Sequence, residues 1–294
     1  MTETMANKLQ KSPWRDMWKN SGIILILGLL LAVTSCKSAY DKLLTSTDNE
    51  MKLEKAFEYY QEQEYYKAQM LFEQVMPFYR ATPQIDTIYY HYAYTHYHLD
   101  NFILGSYYFK NFTKTFSTSP FNEEAYYMTA FAHYQMSPTY KLDQTYTLKA
   151  IEGFQQFANR YPTSGKVPTC NALIDEMRVK LEKKAVASAE LYYKLSNYQS
   201  ADHSYRNLLK DYPDSKDAEK IRYRIVQASY KLAENTVEVK QIDRYNQVIE
   251  NCEAFTKRHV DSQYTNSVNS ILKNATAKVT TLNKNLLLLT KKKK

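Results

Sequence analysis

A cysteine at the end of an apolar run is the residue whose surroundings point most directly to chemistry. Residues 23–33 are apolar, and the segment before them carries four basic residues, Lys8, Lys11, Arg15 and Lys19. This order is typical of a secretory signal. The run leads into Thr34-Ser35-Cys36, a small-residue cleavage site. We therefore expect residues 1–35 to be removed, and the Cys36 thiol to form a thioether that carries diacylglycerol.

A transmembrane anchor is the alternative interpretation of the same apolar run. A helix needs about 20 consecutive apolar residues to cross the hydrocarbon core of a bilayer. Residues 23–33 fall well short of that length. The sequence therefore favours a lipid anchor at Cys36 over a spanning helix.

The charge of the chain is moderately basic. Loss of the signal removes four basic and two acidic residues, which lowers the formal net charge from +8 to +6. This excess permits contact with anionic head groups or with acidic partner surfaces. No stretch combines basic density with a nucleic-acid-binding motif, so we expect no nucleic-acid partner.

The remaining reactive side chains do not form a recognisable catalytic set. His91, His96 and His98 lie close together but do not follow the His-Glu-x-x-His pattern of a zinc site. The sequence has no glycine-rich phosphate loop and no Gly-x-Ser-x-Gly motif. Cys170 and Cys252 each lie in a helical pattern, where buried and unpaired thiols are expected. A disulfide between them is the alternative. We therefore predict no enzyme, no metal and no cofactor.

A repeat of small and aromatic residues organises the chain into helices. Apolar residues recur every three or four positions, glycine is rare, and no segment alternates like a strand. Three segments share one set of seven offsets: Ala56, Tyr59, Tyr65, Ala68, Phe72, Val75 and Tyr79; Ala93, His96, Phe102, Gly105, Phe109, Phe112 and Phe116; and Ala189, Tyr192, Tyr198, Ala201, Tyr205, Leu208 and Tyr212. Small residues let two antiparallel helices cross closely, and the aromatic residues fill the space around the crossing. This pattern is similar to the tetratricopeptide repeat.

Further copies complete a predicted all-α tetratricopeptide-repeat solenoid of about five helix-turn-helix units. A copy that begins at Ala130 contains an insertion between Gln135 and Thr147. A degenerate fifth copy spans residues 217–260, and we expect an elongated segment between its two helices. We predict a signal peptide at 1–35, a tether at 36–48, repeats 1–3 at 49–163, a long joining helix with repeats 4–5 at 164–262, and a capping helix with a basic tail at 263–294.

The first helix of each repeat is expected to line a peptide-binding groove. Counting from the crossing alanines places nine side chains on that face: Leu53, Phe57, Tyr60, Tyr90, Tyr94, Tyr97, Tyr127, Phe131 and Tyr134. Together they would form a nearly continuous aromatic surface, suited to an extended or hairpin peptide that ends in aromatic residues. Packing between neighbouring repeats is the alternative role for each ring.

The mature chain resembles the BamD family, the tetratricopeptide lipoproteins of the outer-membrane β-barrel assembly machine. The resemblance is strongest over residues 185–218, where Val186-Ala187-Ser188-Ala189-Glu190-Leu191-Tyr192-Tyr193 leads to Leu208-Leu209-Lys210-Asp211-Tyr212-Pro213-Asp214-Ser215. It implies a lipid-anchored protein on the periplasmic face of the outer membrane. The implied ligand is the C-terminal β-signal of unfolded outer-membrane proteins.

The resemblance also implies that the later repeats dock on the periplasmic domains of the barrel-forming subunit. The charged residues that fit this role are Lys183, Glu190, Lys194, Asp211, Asp214 and Lys216. Another periplasmic tetratricopeptide adaptor, serving cell division or secretin assembly, is the first alternative. A glycan-binding surface lipoprotein is the second, and the basic Lys37 directly after Cys36 argues against it because such proteins tend to carry acidic residues there.

Overall fold

The structure of the chain, a computed structural model, describes residues 39–292, so Cys36 and the signal segment lie outside the described residues. Within them we number twelve helices: α1 Ala39–Leu44, α2 Asn49–Gln61, α3 Tyr65–Tyr79, α4 Ile85–His98, α5 Phe102–Thr115, α6 Asn122–Gln135, α7 Thr145–Arg160, α8 Val167–Lys194, α9 Tyr198–Asp211, α10 Ala218–Glu234, α11 Glu238–Arg258 and α12 Thr265–Lys292. The described part of the chain contains no strand. The predicted all-α fold of tetratricopeptide type is confirmed.

The small residues of the repeat lie where paired helices cross. Ala56 of α2 and Ala68 of α3 are fully buried, as are Ala189 of α8 and Ala201 of α9. A larger side chain at these positions would hold the two backbones apart, and the aromatic residues around the crossing would lose contact. The spacing of alanines therefore sets the packing distance within each pair.

Three equivalent turns use a left-handed residue that is not glycine. Gln63, Asp100 and Ser196 have φ angles of 62°, 57° and 58°. Each lies seven positions after the first small residue of its repeat. A non-glycine residue in this conformation costs roughly 1–2 kcal/mol, so the turn geometry is imposed by the packing of the helices that it joins.

The described part of the chain divides into two compact units, residues 39–108 and residues 109–292. In the first unit, α2 packs on α3 and α3 packs on α4. The core between them contains Leu71, Phe72 and Ile88. Helix α1, within the predicted tether, adds Leu43 to this core, and the Lys52 ammonium donates to the Leu44 carbonyl (3.1 Å).

In the second unit each helix from α6 to α12 packs on the next one along the chain. Helices α6 and α7 of this unit approach each other closely. A Cβ atom added to Gly153 would lie 2.8 Å from the Ala130 Cβ, which is inside normal contact distance. Glycine is therefore required at this crossing.

The predicted insertion between α6 and α7 is an ordered segment at residues 136–144, held against α8. Lys180 donates to the Ser137 hydroxyl (2.7 Å), and Lys184 donates to the Leu142 carbonyl (2.8 Å). The Lys183 ammonium lies 4.7 Å from the centre of the Tyr140 ring. Lys183, which the sequence assigns to the docking residues, thus contacts the insertion instead.

A serine fixes each of three turns between helix pairs in the second unit. Ser164 donates to Glu123, Ser215 to Glu182, and Ser262 to Glu219. Each serine lies four residues after the last residue of the preceding helix. The same hydroxyl accepts from the backbone N–H two residues later. The two hydrogen bonds of each serine therefore fix the direction in which the next helix starts.

Helix α8 is one continuous helix of 28 residues, over the stretch where the sequence predicts a long joining helix. The expectation for the fifth repeat is wrong in one respect. Its helices α10 and α11 are separated only by residues 235–237, because the residues expected to form an elongated segment extend the two helices instead. Helix α12 occupies the position of the predicted capping helix.

Candidate functional site

The six groove residues predicted in the first unit lie together on α2 and α4. We call them the N-terminal aromatic surface: Leu53, Phe57, Tyr60, Tyr90, Tyr94 and Tyr97. All six are half-buried. Leu53, Phe57 and Tyr60 pack against the core of the first unit with one side. The core therefore holds the α2 side chains of this surface in place, while all six side chains keep part of their area exposed to solvent.

Two histidines of α4 belong to this surface, although the sequence pattern did not assign them to it. The His91 ring lies 5.1 Å from the Phe57 ring and 4.9 Å from the Tyr60 ring, edge-on in both cases. The His98 ring stacks on Tyr65 at 4.2 Å. His91 therefore contacts the aromatic residues of α2 from α4. His91, Tyr94 and His98 are spaced by three and four positions, which places them on one face of the helix, and this spacing could have predicted both histidines.

The histidines leave the N-terminal aromatic surface without added positive charge at neutral pH. Burial lowers the pKa of His91 below its usual value, although the hydrogen bond from His91 Nδ1 to the Thr87 carbonyl (2.8 Å) opposes that shift. Burial also lowers the pKa of His98. Neither imidazole therefore adds positive charge to this surface at neutral pH.

The other three predicted groove residues form a row on α6 in the second unit. Tyr127 stacks on Phe131 with ring centres 5.5 Å apart, and Phe131 stacks on Tyr134 at 5.7 Å. Tyr127 also contacts the buried Phe154 ring at 5.8 Å, and the Tyr134 hydroxyl donates to Glu176 (3.0 Å). Each of the three is half-buried, and the predicted continuity of this row with the N-terminal aromatic surface stays a prediction.

The predicted docking residues fall into two groups. Lys183 and Glu190 have partners inside the second unit, because Lys183 lies over Tyr140 and Glu190 forms an ion pair with Arg224 at 2.8 Å. The remaining four are exposed: Lys194, Asp211, Asp214 and Lys216. The ion pair bridges α8 and α10, so Glu190 stabilises the packing of these helices. A docking role for the exposed four stays a prediction.

His96 is a core histidine, as its repeat position indicates. It is buried, and the Gln69 side-chain amide lies 3.0 Å from its Nδ1. Among residues 39–292, no group of three or more His, Cys, Asp or Glu side chains is arranged to hold a metal ion. In the same residues no helix combines the length and apolar character needed to cross a membrane.

Cys170 and Cys252 are both free and buried, as the helical patterns predict. They lie in different core clusters of the second unit. Burial raises the pKa of the Cys170 thiol to about 11 and that of the Cys252 thiol to about 12. Both groups are therefore protonated and unreactive in the folded protein.

A groove that the sequence did not predict lies between α9, α10 and α11. We call it the basic groove; its volume is about 590 Å³, and it is lined by Arg206, Leu209, Arg222, Ile225, Asn251, Ala254, Phe255, Lys257 and Arg258. Four of these side chains are cationic and none is acidic. The sequence does not predict the groove, because its residues come from three helices and their side chains meet only when those helices pack together.

Among solved structures, the chain is similar to several proteins with tetratricopeptide repeats. The TPR2AB-domain:pHSP90 complex of yeast Sti1 is 10% identical, with a TM-score of 0.36, and the match covers 78% of this chain and 98% of that chain. The thermophilic TPR protein TTC0263 of Thermus thermophilus is 13% identical, with a TM-score of 0.30 and coverage of 78% and 99%. The TPR domain of P58(IPK) is 14% identical, with a TM-score of 0.38 and coverage of 86% and 72%.

A search of curated proteins gave no match. The comparison with family models is positive. Residues 46–244, more than half of the chain, match the model YfiO, described as outer membrane lipoprotein. The matched region includes α2 to α10 and therefore the N-terminal aromatic surface and the aromatic row of α6. The resemblance found in the sequence is confirmed, and the chain belongs to the YfiO (BamD) family of outer membrane lipoproteins.

Proposed function

We propose that this outer membrane lipoprotein is a non-enzymatic subunit of the β-barrel assembly machine that binds the aromatic-ended C-terminal β-signal of unfolded outer-membrane proteins. The observation that carries the proposal is the N-terminal aromatic surface. Membership of the family supports the coarser part, an adaptor with tetratricopeptide repeats at the outer membrane. The β-signal as ligand is the finer part.

The geometry of the N-terminal aromatic surface suits an extended peptide with aromatic side chains. In an extended segment alternate side chains point to the same side, so every second residue of the ligand can contact the surface. The rings of Tyr90, Tyr94 and Tyr97 follow one another along α4, with centres 4.9 Å and 6.4 Å apart. Aromatic pairs in edge-on or offset arrangements contribute about 0.5–1.5 kcal/mol beyond the burial of area.

We further propose how the adaptor is placed. The acylated Cys36 would hold it on the periplasmic face of the outer membrane, and the later repeats would dock on the periplasmic domains of the barrel-forming subunit. A single acyl chain binds membranes only marginally, so the several chains of a mature lipoprotein or a membrane-embedded partner are needed for a stable attachment. The four exposed docking residues around Asp214 are available for such a contact.

A peptide-binding measurement tests the proposed ligand. The full mature chain is titrated with a labelled peptide of β-signal type that ends in phenylalanine, and fluorescence anisotropy reports the affinity. The variant with both Tyr94→Ala and Tyr97→Ala removes two rings of the surface. We expect it to bind at least tenfold more weakly, because truncation of a central aromatic contact commonly costs about 2 kcal/mol or more.

Tyr66→Ala is the matched control, since Tyr66 is a tyrosine of the same unit that is 62% exposed and lies outside the aromatic surface. Its affinity should equal that of the wild type. Circular dichroism of all variants confirms that the helices persist. Equal binding by the double variant and the wild type would place the ligand elsewhere on the protein.

A further inference from the structure

The basic groove between α9, α10 and α11 contains positive charge without compensation. Arg206 is the exception, because it forms two hydrogen bonds to Asp202 (2.8 and 3.1 Å). None of Arg222, Lys257 and Arg258 forms an ion pair with a carboxylate of residues 39–292. Three cations of one groove are therefore left without an internal counter-charge.

The two unpaired arginines also perturb each other. Arg222 is half-buried, and its pKa is lowered by that burial and by the nearby charge of Arg258. Arg222 is half-buried whereas Arg258 is exposed, and the repulsion between their guanidinium groups is relieved when an anion binds between them. Guanidinium groups are suited to this because they bind carboxylates through two parallel hydrogen bonds.

An unpaired amide donor lies in the same groove. The Asn251 Oδ1 accepts from Arg206 (3.1 Å), which leaves the Nδ2 group free to point elsewhere. Nδ2 is buried and has no hydrogen-bond partner in the described part of the chain. Like the three cations, this group is a donor only. The groove therefore presents three cations and one buried amide donor that an acceptor from outside the chain would satisfy.

The groove also has an apolar part, which distinguishes among the candidate anions. Leu209, Ile225 and Phe255 line it together with the cations, and Ile225 and Phe255 are buried. A free inorganic anion would gain nothing from these side chains. The plane of a lipid surface would reach the exposed rim before it reached the half-buried Arg222. A peptide segment fits better, because carboxylates and apolar side chains can alternate along it.

We propose that the basic groove binds an acidic segment of a partner protein, in which carboxylates engage Arg222 and Arg258 while an apolar side chain of the same segment contacts Leu209 and Ile225. The site is separate from the N-terminal aromatic surface. It rests on the proposed function in one respect only, that the protein acts as an adaptor for other proteins. The occupant is defined by its chemistry, a short run of Asp or Glu interspersed with Leu or Ile.

Titration of the full mature chain with defined probes tests this assignment. The main probe is a labelled peptide in which glutamate alternates with leucine, and the comparison peptide carries lysine in place of each glutamate. The test variants are Arg222→Glu and Arg258→Glu. Lys220→Glu is the control, because Lys220 is an exposed cation on the same helix as Arg222 and carries the same change of charge.

We expect the acidic peptide to bind the wild type, with affinity that falls as salt rises, and the lysine peptide not to bind. Each test variant should weaken binding of the acidic peptide at least about tenfold, since it replaces an attractive charge in the groove with a repulsive one. Lys220→Glu should remain within about twofold of the wild type, since it keeps every residue of the groove. Urea unfolding should show that Arg222→Glu is folded, because the new carboxylate lies beside Arg258 and supplies the missing charge.

Three results would overturn the assignment. One is acidic-peptide binding that both test variants retain. Another is binding of inorganic phosphate alone, with no binding of the peptide. The last is Arg222-dependent binding of vesicles that contain anionic phospholipid, again without peptide binding. A β-signal peptide titrated on the same samples separates the two proposals, since Arg222→Glu should leave its affinity unchanged, and its failure to bind the wild type would refute only the proposed ligand of the aromatic surface.

Discussion

The close crossing of α6 and α7 makes Gly153→Ala a sharp test of the packing in the third repeat. The added methyl group would lie 2.8 Å from the Ala130 Cβ and 3.2 Å from its Cα. The helices must therefore separate, and overpacking of this kind costs about 1–3 kcal/mol. Alanine also favours a helix over glycine by about 1 kcal/mol. We expect a net loss of about 1 kcal/mol in the free energy of unfolding.

Gly105→Ala is the matched control, because it is also a glycine within a helix. Its added Cβ would lie 3.4 Å from the nearest atom, the Tyr97 backbone nitrogen, which is ordinary contact. Only the gain in helix propensity remains there, so we expect the free energy of unfolding to rise by about 0.5–1 kcal/mol. The two substitutions are chemically identical and should have opposite signs.

Urea unfolding followed by circular dichroism measures both effects. Adding Ala130→Gly to Gly153→Ala removes the methyl group that the new side chain meets, so the double variant should be more stable than the sum of the single changes predicts. A Gly153→Ala variant as stable as Gly105→Ala, or strict additivity in the double variant, would refute the close crossing. Because Ala130 lies between Tyr127 and Phe131 on α6, the same variant should disturb the aromatic row of that helix.

Further predictions concern a left-handed turn, the half-buried His133 and the two buried thiols. Ser196→Gly should raise the free energy of unfolding by about 0.5–1 kcal/mol, because glycine adopts the left-handed conformation without strain; an unchanged urea midpoint would contradict this. Burial, Lys149 and Lys110 lower the pKa of His133 to about 4, below the ordinary value of 6.5, so stability should be complete above pH 6.5 and should fall as the pH drops from 6.5 toward 4. His133→Gln should reduce that fall, measured as the difference in urea midpoint between about pH 7.5 and about pH 5, and an identical fall in the variant would exclude this cause. Cys170 and Cys252 should resist a thiol-specific disulfide reagent at about pH 8 until urea unfolds the chain, whereas rapid labelling of the native protein would show that they are accessible.

The repeated residues carry much of the fold in their sequence. Ala56, Ala189 and their partners recur at fixed offsets because each helix pair needs a small residue at its crossing, and this requirement is local. The left-handed turns were not predictable, because Gln63 and Ser196 have no intrinsic preference for that conformation and adopt it under the constraint of the packed helices. The turns fixed by Ser215 and its counterparts depend on a glutamate more than thirty positions away.

The aromatic positions show where the repeat pattern stops being sufficient. Tyr59 and Tyr192 occupy the same repeat position, yet Tyr59 is half-buried whereas Tyr192 is 41% exposed. Tyr59 is covered by Tyr40 of α1 at a ring distance of 5.7 Å, a contact that lies outside the repeat. The offsets therefore specify which side of a helix a residue occupies, and the neighbouring elements decide how deeply it is buried.

The candidate sites differ in the same way. The N-terminal aromatic surface could be predicted because its residues lie on one face of α2 and one face of α4. The basic groove could not, because Arg222 and Arg258 are charged residues of ordinary appearance on separate helices. Their significance comes from their meeting in one groove without an ion-pair partner, which only the packed structure shows.

Purification of the tagged protein from its own membranes in mild detergent tests the central claim most directly. The account predicts that a large outer-membrane protein with periplasmic domains co-purifies with the wild-type chain in near-equal amount. Cys36→Ala should release the protein from the membrane fraction without loss of its helices. Recovery of the intact, lipid-anchored chain without any such barrel protein would contradict the proposed role in the β-barrel assembly machine.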